Sequence, residues 1–491
     1  MSSIKKLFVH FTTFFSGGML MLLLGFVTFP ILTRLLTRED YGILGLVTNT
    51  VAIATAVAKG GLSDGIIRFY REYAATSERL TLFTSTVLAR GVLLAAVVVG
   101  IYVVVVPYVN KLVGLDARYL DCFLIMALYL FVRPLNIIVL NYLRAVEKIF
   151  LLNAVNVVAK VIGIVLAFGL LLVVIGELYG YLLGIALAEL GATIYLARWL
   201  LTNYHFKMAQ ISGRLTLDLI KFGLPLLLSE LAYLLLSFTD RYMIVAYHGQ
   251  DVLGLYTVGY NVPSYINDLV MFSLSYAVVP IYTDLYLREG RGPTETFLSR
   301  SLNYYFMIMI PVCVGYAAVS QDILDTLASP KYDEAAAFSP IILVGLMFLG
   351  MNSILYAGLY VEKKSGQILA VMSCAVAINI GVNLALLPRY GAMGAAIATL
   401  VACVASSLLM AGLSWRYLRP AISFATIVYY SASSAAMYLA VTEIQTGHHW
   451  TNVAVKVPLG VAIMAVATIA REREIRSYVW RFVRGVSGRP V

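Results

Sequence analysis

Four charged residues share one depth in the first half of the chain, and together they would make an anion site. Arg90 lies about ten residues into the third long apolar run, Arg133 eleven residues before Arg144, Lys160 twelve after Lys148, and Glu189 nine before Arg198. A helix rises about 1.5 Å per residue, which puts the three cations about 15–18 Å deep. A charge near the centre of a bilayer costs several kcal/mol and marks a site by default. Polar neighbours extend the pattern: Asn136 shares a helical face with Tyr129 and Arg133, and Asn156 with Asn153 and Lys160. The second half carries acids instead, Glu230 and Asp268, the latter on one face with Asn261 and Tyr265. Glu189 can neutralise one cation, and the remaining positive excess suits an anionic ligand. The alternative is that these charges lock helices together and the polar stripes are packing glue. Glu189, Glu230 and Asp268 are the candidates for ion coupling.

Other chemistry is not encoded in recognisable form. No segment fits a phosphate-binding loop, a zinc spacing or a nucleophile elbow, so neither a cofactor nor a metal is expected. Cys122, Cys313, Cys374 and Cys403 lie singly in apolar runs, as packing residues do. His448-His449 reads as a loop pair without further ligands, and 321–335, with four acids, as the longest outer loop.

The elements that must hold these residues follow from composition. Of 491 residues 61% are hydrophobic and 13% charged, against about 45–50% and about 25% in soluble domains. The apolar residues suffice for about fourteen helices of about 20 residues each. Fourteen runs of spanning length occur, from 11–33 and 41–63 to 421–441 and 452–470. They are too long for barrel strands, and helices satisfy every backbone group internally, as lipid requires. The expected fold is an all-α polytopic membrane protein. Of the 36 basic residues, 23 fall at the termini and even-numbered turns and about 7 at odd-numbered turns, which places both ends in the cytoplasm. The net charge of +10 is explained by that sorting, not by nucleic acid. Residues 471–491 read as a basic tail at the cytoplasmic surface.

An internal repeat recurs at an offset of 212 residues, pairing Glu39 with Asp251, Gly42 with Gly254 and Asn49 with Asn261. With slight drift it also pairs Glu147-Lys148 with Glu362-Lys363 and Tyr179-Gly180 with Tyr390-Gly391. The domain plan is a first lobe at 1–205, a second at 206–418, two further helices at 419–470 and the tail. Six helices per lobe is an even number, so the repeats run parallel.

The segment from Leu32 to Gly42, the stretch Gly61-Leu62-Ser63 to Arg68-Phe69-Tyr70, and the six-plus-six-plus-two plan resemble a known family. It is the polysaccharide transporter (O-antigen flippase) family of the multidrug/oligosaccharidyl-lipid/polysaccharide exporter superfamily. The resemblance implies a non-enzymatic flippase of the inner membrane that moves polyprenyl-diphosphate-linked oligosaccharide to the outer leaflet by alternating access. It implies a central cavity in which Arg90, Arg133 and Lys160 meet the diphosphate, with Lys59 and Arg68 nearer the inner mouth. It implies a monomer whose partners are the lipid-linked substrate, membrane lipids and other glycan-assembly membrane proteins. Rival readings are a multidrug antiporter for organic cations and a membrane glycan polymerase or glycosyltransferase.

Overall fold

The computed structural model describes residues 3–174, 177–472 and 476–477, and for 3–17 and 272–277 the helical backbone alone. Most of the basic tail, 473–475 and 478–491, lies outside the described residues. Every regular element among the described residues is a helix. Among the described residues twelve helical stretches are long and apolar enough to cross a membrane, and two of these are doubled. The stretch Gly213–Glu289 leaves helical geometry at Gly249 (φ 81°, ψ −173°), and Ser365–Ser414 leaves it at Gly391 (φ 53°, ψ −133°). Glycine reaches a left-handed φ at little cost, so one residue makes the turn. The chain doubles back at both: the Tyr256 hydroxyl donates to Asp240, and Gly394 packs on the backbone of Leu386. Straight helices would hold those pairs apart by about 24 and 12 Å.

Fourteen spans result among the described residues. Spans 1 to 6 are Ser3–Leu35, Arg38–Lys59 with its continuation Leu62–Tyr73, Ser77–Val113, Leu120–Ala145, Ile149–Gly169 and Leu178–Asn203. Spans 7 to 10 are 213–248, 250–289, Arg291–Leu327 and Ser339–Leu355. Spans 11 to 14 are 365–390, 392–414, Phe424–Thr442 and His449–Arg471. Threonine and serine start several of them: the side chains of Thr37, Thr76, Ser212 and Ser423 accept from the amides of Asp40, Arg79, Leu215 and Thr426. Such caps satisfy donors that the helix itself leaves free.

Spans 1–6 pack mainly among themselves, as do spans 7–12, giving two lobes; spans 13 and 14 lie against span 9. Span 2 bridges the lobes, resting on spans 7 and 8. The odd-numbered turns meet at one end of the bundle, here the distal end, where Arg118 pairs with Glu39 and Arg38 with Asp251. The even-numbered turns lie at the other, proximal end, which also holds the start of span 1.

The repeat is visible in backbone hydrogen bonds. After span 4, Lys148 N donates to Leu143 O and Glu147 N to Arg144 O; after span 10, Lys364 N donates to Leu359 O and Lys363 N to Tyr360 O. Glu147 (φ 59°) and Lys363 (φ 55°) take the same left-handed conformation. The structure therefore matches Glu147 with Lys363, one residue away from the pairing that the shared Glu-Lys letters suggest. Gly42 and Gly254, paired by the repeat, touch one another across the lobe boundary, where a Cβ on Gly42 would lie 2.6 Å from the Gly254 nitrogen.

Two expectations about loops are corrected. Span 9 continues to Leu327, so Asp322 and Asp325 are helical residues of a buried face and not part of an outer loop at 321–335. His449 is not a loop residue without contacts; it opens span 14 and meets both of those acids. Among the cysteines, Cys122, Cys313 and Cys403 are buried and Cys374 is exposed.

Candidate functional site: a cavity between the lobes

A cavity of about 470 Å³ lies between the lobes, lined by spans 1, 2, 5, 6, 7, 8 and 10. Its charged groups are Lys160 from the first lobe and Arg241 and Asp268 from the second. Asn49, Asn261 and the rings of Tyr41, Tyr181 and Tyr233 surround them. Lys160 projects from the face of span 5 that carries Asn153 and Asn156, as the i, i+3, i+7 spacing requires. No carboxylate among the described residues lies within 4.0 Å of its ammonium. Asp268 likewise has no basic partner within that distance.

Arg241 is held differently. Its guanidinium donates to Ser237 O, sits 3.5 Å from Asp240, and lies 4.4 Å from the centre of the Tyr260 ring. Asp240 is fully buried, accepts from the Tyr256 hydroxyl, and lies 3.4 Å from the Thr399 hydroxyl. The Arg241 Nε is buried without a hydrogen-bond partner although the residue lines the cavity. Burial of a charge is tolerated only with pairing of this kind, and an aromatic face adds about 0.5–2 kcal/mol.

Inter-lobe contacts bracket the cavity. At the distal end Arg38 of span 2 pairs with Asp251 (3.2 Å) and Glu334 (3.0 Å) and donates to Lys331 O, while Lys331 donates to Leu36 O. Arg34 donates to the carbonyls of Thr326 and Leu327 at the end of span 9. Toward the proximal end Lys59 binds both oxygens of Glu230, at 2.6 and 2.8 Å. There the span 2 helix breaks at Gly60 and Gly61 (φ 55° and 72°), and Gly61 meets the backbone of Gly223, which a Cβ would approach to 2.5 Å. Two facing glycines are what let the lobes come this close.

The structure separates the sequence-predicted residues into groups. Lys160 and Asp268 line the cavity. Arg133 is paired with Glu189 at 2.9 Å inside the first lobe, within electrostatic reach of Lys160. Lys59 and Glu230 pair with one another across the lobes. Arg90 is not among the cavity-lining residues, and its Nε is buried without a partner; Asn136 is buried and Asn156 half-buried. Arg68 is exposed, pairs with Glu72 and stacks on Phe69. Equal depth did not mean a common face, because depth counts residues along an axis and says nothing of rotation about it.

Sequence reasoning missed Asp240 and Arg241. Arg241 lies eight residues from the turn at Gly249, near enough for a long side chain to reach water, yet it is 2% exposed. The signal was there: an acid and a base adjacent in an apolar run, followed by Tyr256 and Tyr260 at helical spacing.

A second cavity, an apolar groove of about 560 Å³, runs between spans 8, 9, 13 and 14, with Ile266, Pro311, Met437 and Gly460 among its walls. Its distal end carries Lys456, whose ammonium is 2.7 Å from Asp322.

The family description "Polysaccharide biosynthesis protein" matches residues 9–286, and "MatE" matches 225–385. An uncharacterized membrane protein of Methanocaldococcus jannaschii is 21% identical over 383 residues, 74% of this chain and 75% of that one. Among solved structures, the lipid II flippase MurJ in an inward closed conformation superposes with a TM-score of 0.77 at 14% identity, over 94% of this chain and 99% of that one. A multidrug resistance MATE family transporter of the MOP superfamily, inward-facing, gives 0.68 at 15% identity, over 81% and 93%. The fold is thus that of the MurJ and MATE structures, and the chain belongs to the polysaccharide biosynthesis protein family, as a multi-pass membrane protein.

Proposed function

We propose that this protein is a flippase that moves a polyprenyl-diphosphate-linked oligosaccharide, an O-antigen or exopolysaccharide repeat unit, from the inner to the outer leaflet of the cytoplasmic membrane. The observation that carries this reading is Lys160, an ammonium without a carboxylate partner among the described residues, in the cavity between the lobes and facing a space that Arg241 also lines. Two cations from opposite lobes suit a diphosphate, which would draw the lobes together. The surrounding tyrosine rings and asparagine amides suit sugar faces and hydroxyls. The apolar groove beside spans 13 and 14 offers the polyprenyl chain a path in lipid. Both termini lie in the cytoplasm on the basic-residue count, so the proximal end faces inward and the Lys59–Glu230 contact belongs to the inner gate. A diphosphate with two negative charges leaving an inside-negative cell gains about 4.6 kcal/mol per 100 mV. The protein acts as a monomer alongside other glycan-assembly proteins, and breaks no covalent bond in its substrate.

The test is translocation of a lipid-linked oligosaccharide by the purified chain in vesicles, with Lys160→Gln, Arg241→Gln and the double variant. Loss of each charge is expected to reduce transport tenfold or more, and undiminished transport by the well-folded double variant would sink the anion-site reading.

A second reading has one observation in its favour: Asp268, an acid with no basic partner within 4.0 Å among the described residues, lines the same cavity, as a cation antiporter needs. Lys160→Gln separates the two, because an anion flippase loses transport with it and a cation antiporter, which depends on Asp268, does not.

A further inference from the structure

The distal ends of spans 9 and 14 hold a charge cluster that the cavity does not use. Asp322 accepts from Lys456 Nζ (2.7 Å), Asn452 Nδ2 (2.9 Å) and His449, whose Nδ1 lies 2.9 Å away. The other ring nitrogen of His449 is 3.4 Å from Asp325. Both carboxylates are more than nine-tenths buried, and Asp325 Oδ1 has no hydrogen-bond partner. His449 itself is half exposed. One side of span 14 faces outward, with Trp450, Val457, Val461 and Val466 exposed, while Gly460 and Met464 pack on span 13.

Charge counting shows what the cluster lacks. Two carboxylates and one ammonium leave a net charge of −1 in a largely buried place. A neutral imidazole can donate from only one nitrogen, so it serves one acid and leaves the other facing a lone pair. A protonated imidazole donates from both nitrogens, bridges Asp322 to Asp325 and brings the cluster to neutrality. The other groups near the histidine do not change this count. On span 9 Gln321 is neutral and donates to Asp325; on span 14 the neighbouring His448 makes no ion pair among the described residues. Span 13, the other helix packed on span 14, is followed by Glu443, which makes none with His449 either. Arg34 of span 1 reaches only backbone carbonyls here, at Thr326 and Leu327.

We propose that His449 is a proton-operated clasp: when protonated it ties the distal turn of span 14 to both acids of span 9, and when neutral it gives up one of them and that turn loosens, with Lys456 and Asn452 still holding Asp322. The clasp bears on the molecule in two ways. Span 14 forms one wall of the apolar groove, so loosening of its distal turn lets that end of the groove widen. The same end of span 9 takes the Arg34 contact from the first lobe, so the hairpin is attached to a segment that also closes the distal side. The inference goes beyond the transport reading and does not depend on which molecule is carried. Its test reads local structure, so it can fail while that reading stands.

The experiment is amide hydrogen exchange of the full chain in lipid nanodiscs at pH 5.5 and pH 8, with rates corrected for intrinsic chemistry. In the wild type, protection across 443–456 is expected to fall several-fold to tenfold at pH 8, while the turn at 248–252 does not change; one proton allows no more than about tenfold per pH unit. His449→Gln should exchange at the fast level at both pH values, and His449→Lys, permanently charged, should stay protected at both. Asp325→Asn removes the charge that the second nitrogen serves and should shrink the pH step. A wild type whose protection at 443–456 is the same at both pH values, or a His449→Gln protein that keeps the step, overturns the clasp. The wild-type comparison needs no variant to fold.

Discussion

Closure of the distal end depends on Gly254. A Cβ built there would lie 2.6 Å from the Arg38 carbonyl carbon and closer still to its oxygen. These are backbone atoms of the opposite lobe and cannot rotate away. In Gly254→Ala the two helices must therefore part by an ångström or more, which also strains the contact with Gly42 and the 3.2 Å pair between Arg38 and Asp251. Overpacking of this kind costs about 1–3 kcal/mol. The cost falls only on the state in which the lobes touch distally. The helix-propensity gain of alanine over glycine, up to about 1 kcal/mol, is common to both states and cancels. At about 1.4 kcal/mol per factor of ten, the equilibrium shifts toward the distally open form by about 5- to 150-fold. The assay is a distance distribution between spin labels at Lys111→Cys and Asp333→Cys, exposed distal residues of opposite lobes, with Cys374 replaced. A longer distance should gain population in Gly254→Ala and not in Gly412→Ala, where a Cβ meets nothing within 4 Å. An unchanged distribution in folded Gly254→Ala protein would refute the claim that the glycine contact is a condition of closure.

Two further outcomes follow from the ion pairs. Glu189→Gln leaves Arg133 without its partner and should lower stability by about 2 kcal/mol, less than for a fully buried pair because Arg133 is about one-third exposed. Adding Arg133→Met should recover most of that loss in a thermal-unfolding series, and no recovery would show that the two side chains do not act as a pair. Lys59→Ala and Glu230→Ala should each loosen the proximal contact by about tenfold or less, read as faster thiol labelling of a cysteine placed at Phe222; unequal effects from the two would argue against a shared bridge.

Much of the fold was legible because it depends on quantities that run along the chain. Hydropathy located fourteen spans, and the helical structure agrees even where Gly249 and Gly391 hide two turns inside continuous helices. The repeat was readable from Gly42 and Gly254, although identical letters misled its register by one residue at Glu147. The site was less legible. Lys160 and Asp268 do face the cavity, as their polar neighbours suggested. Arg90, Arg133 and Arg68 share with Lys160 a basic side chain but not a direction, and Arg241 was hidden by its nearness to a turn.

The division has a physical cause. Solvation by lipid acts on each residue singly, so the number of spans and their repeat are written in the amino-acid sequence alone. Whether a charge is a ligand group or one half of a pair depends on which helix stands opposite it and on rotations of a few tens of degrees. Those are set by the packing of all the helices at once: Glu189 takes Arg133 out of play, Glu230 takes Lys59, and Lys160 is left facing the cavity. His449 makes the same point at the distal end, where only the folded chain brings residue 449 between residues 322 and 325.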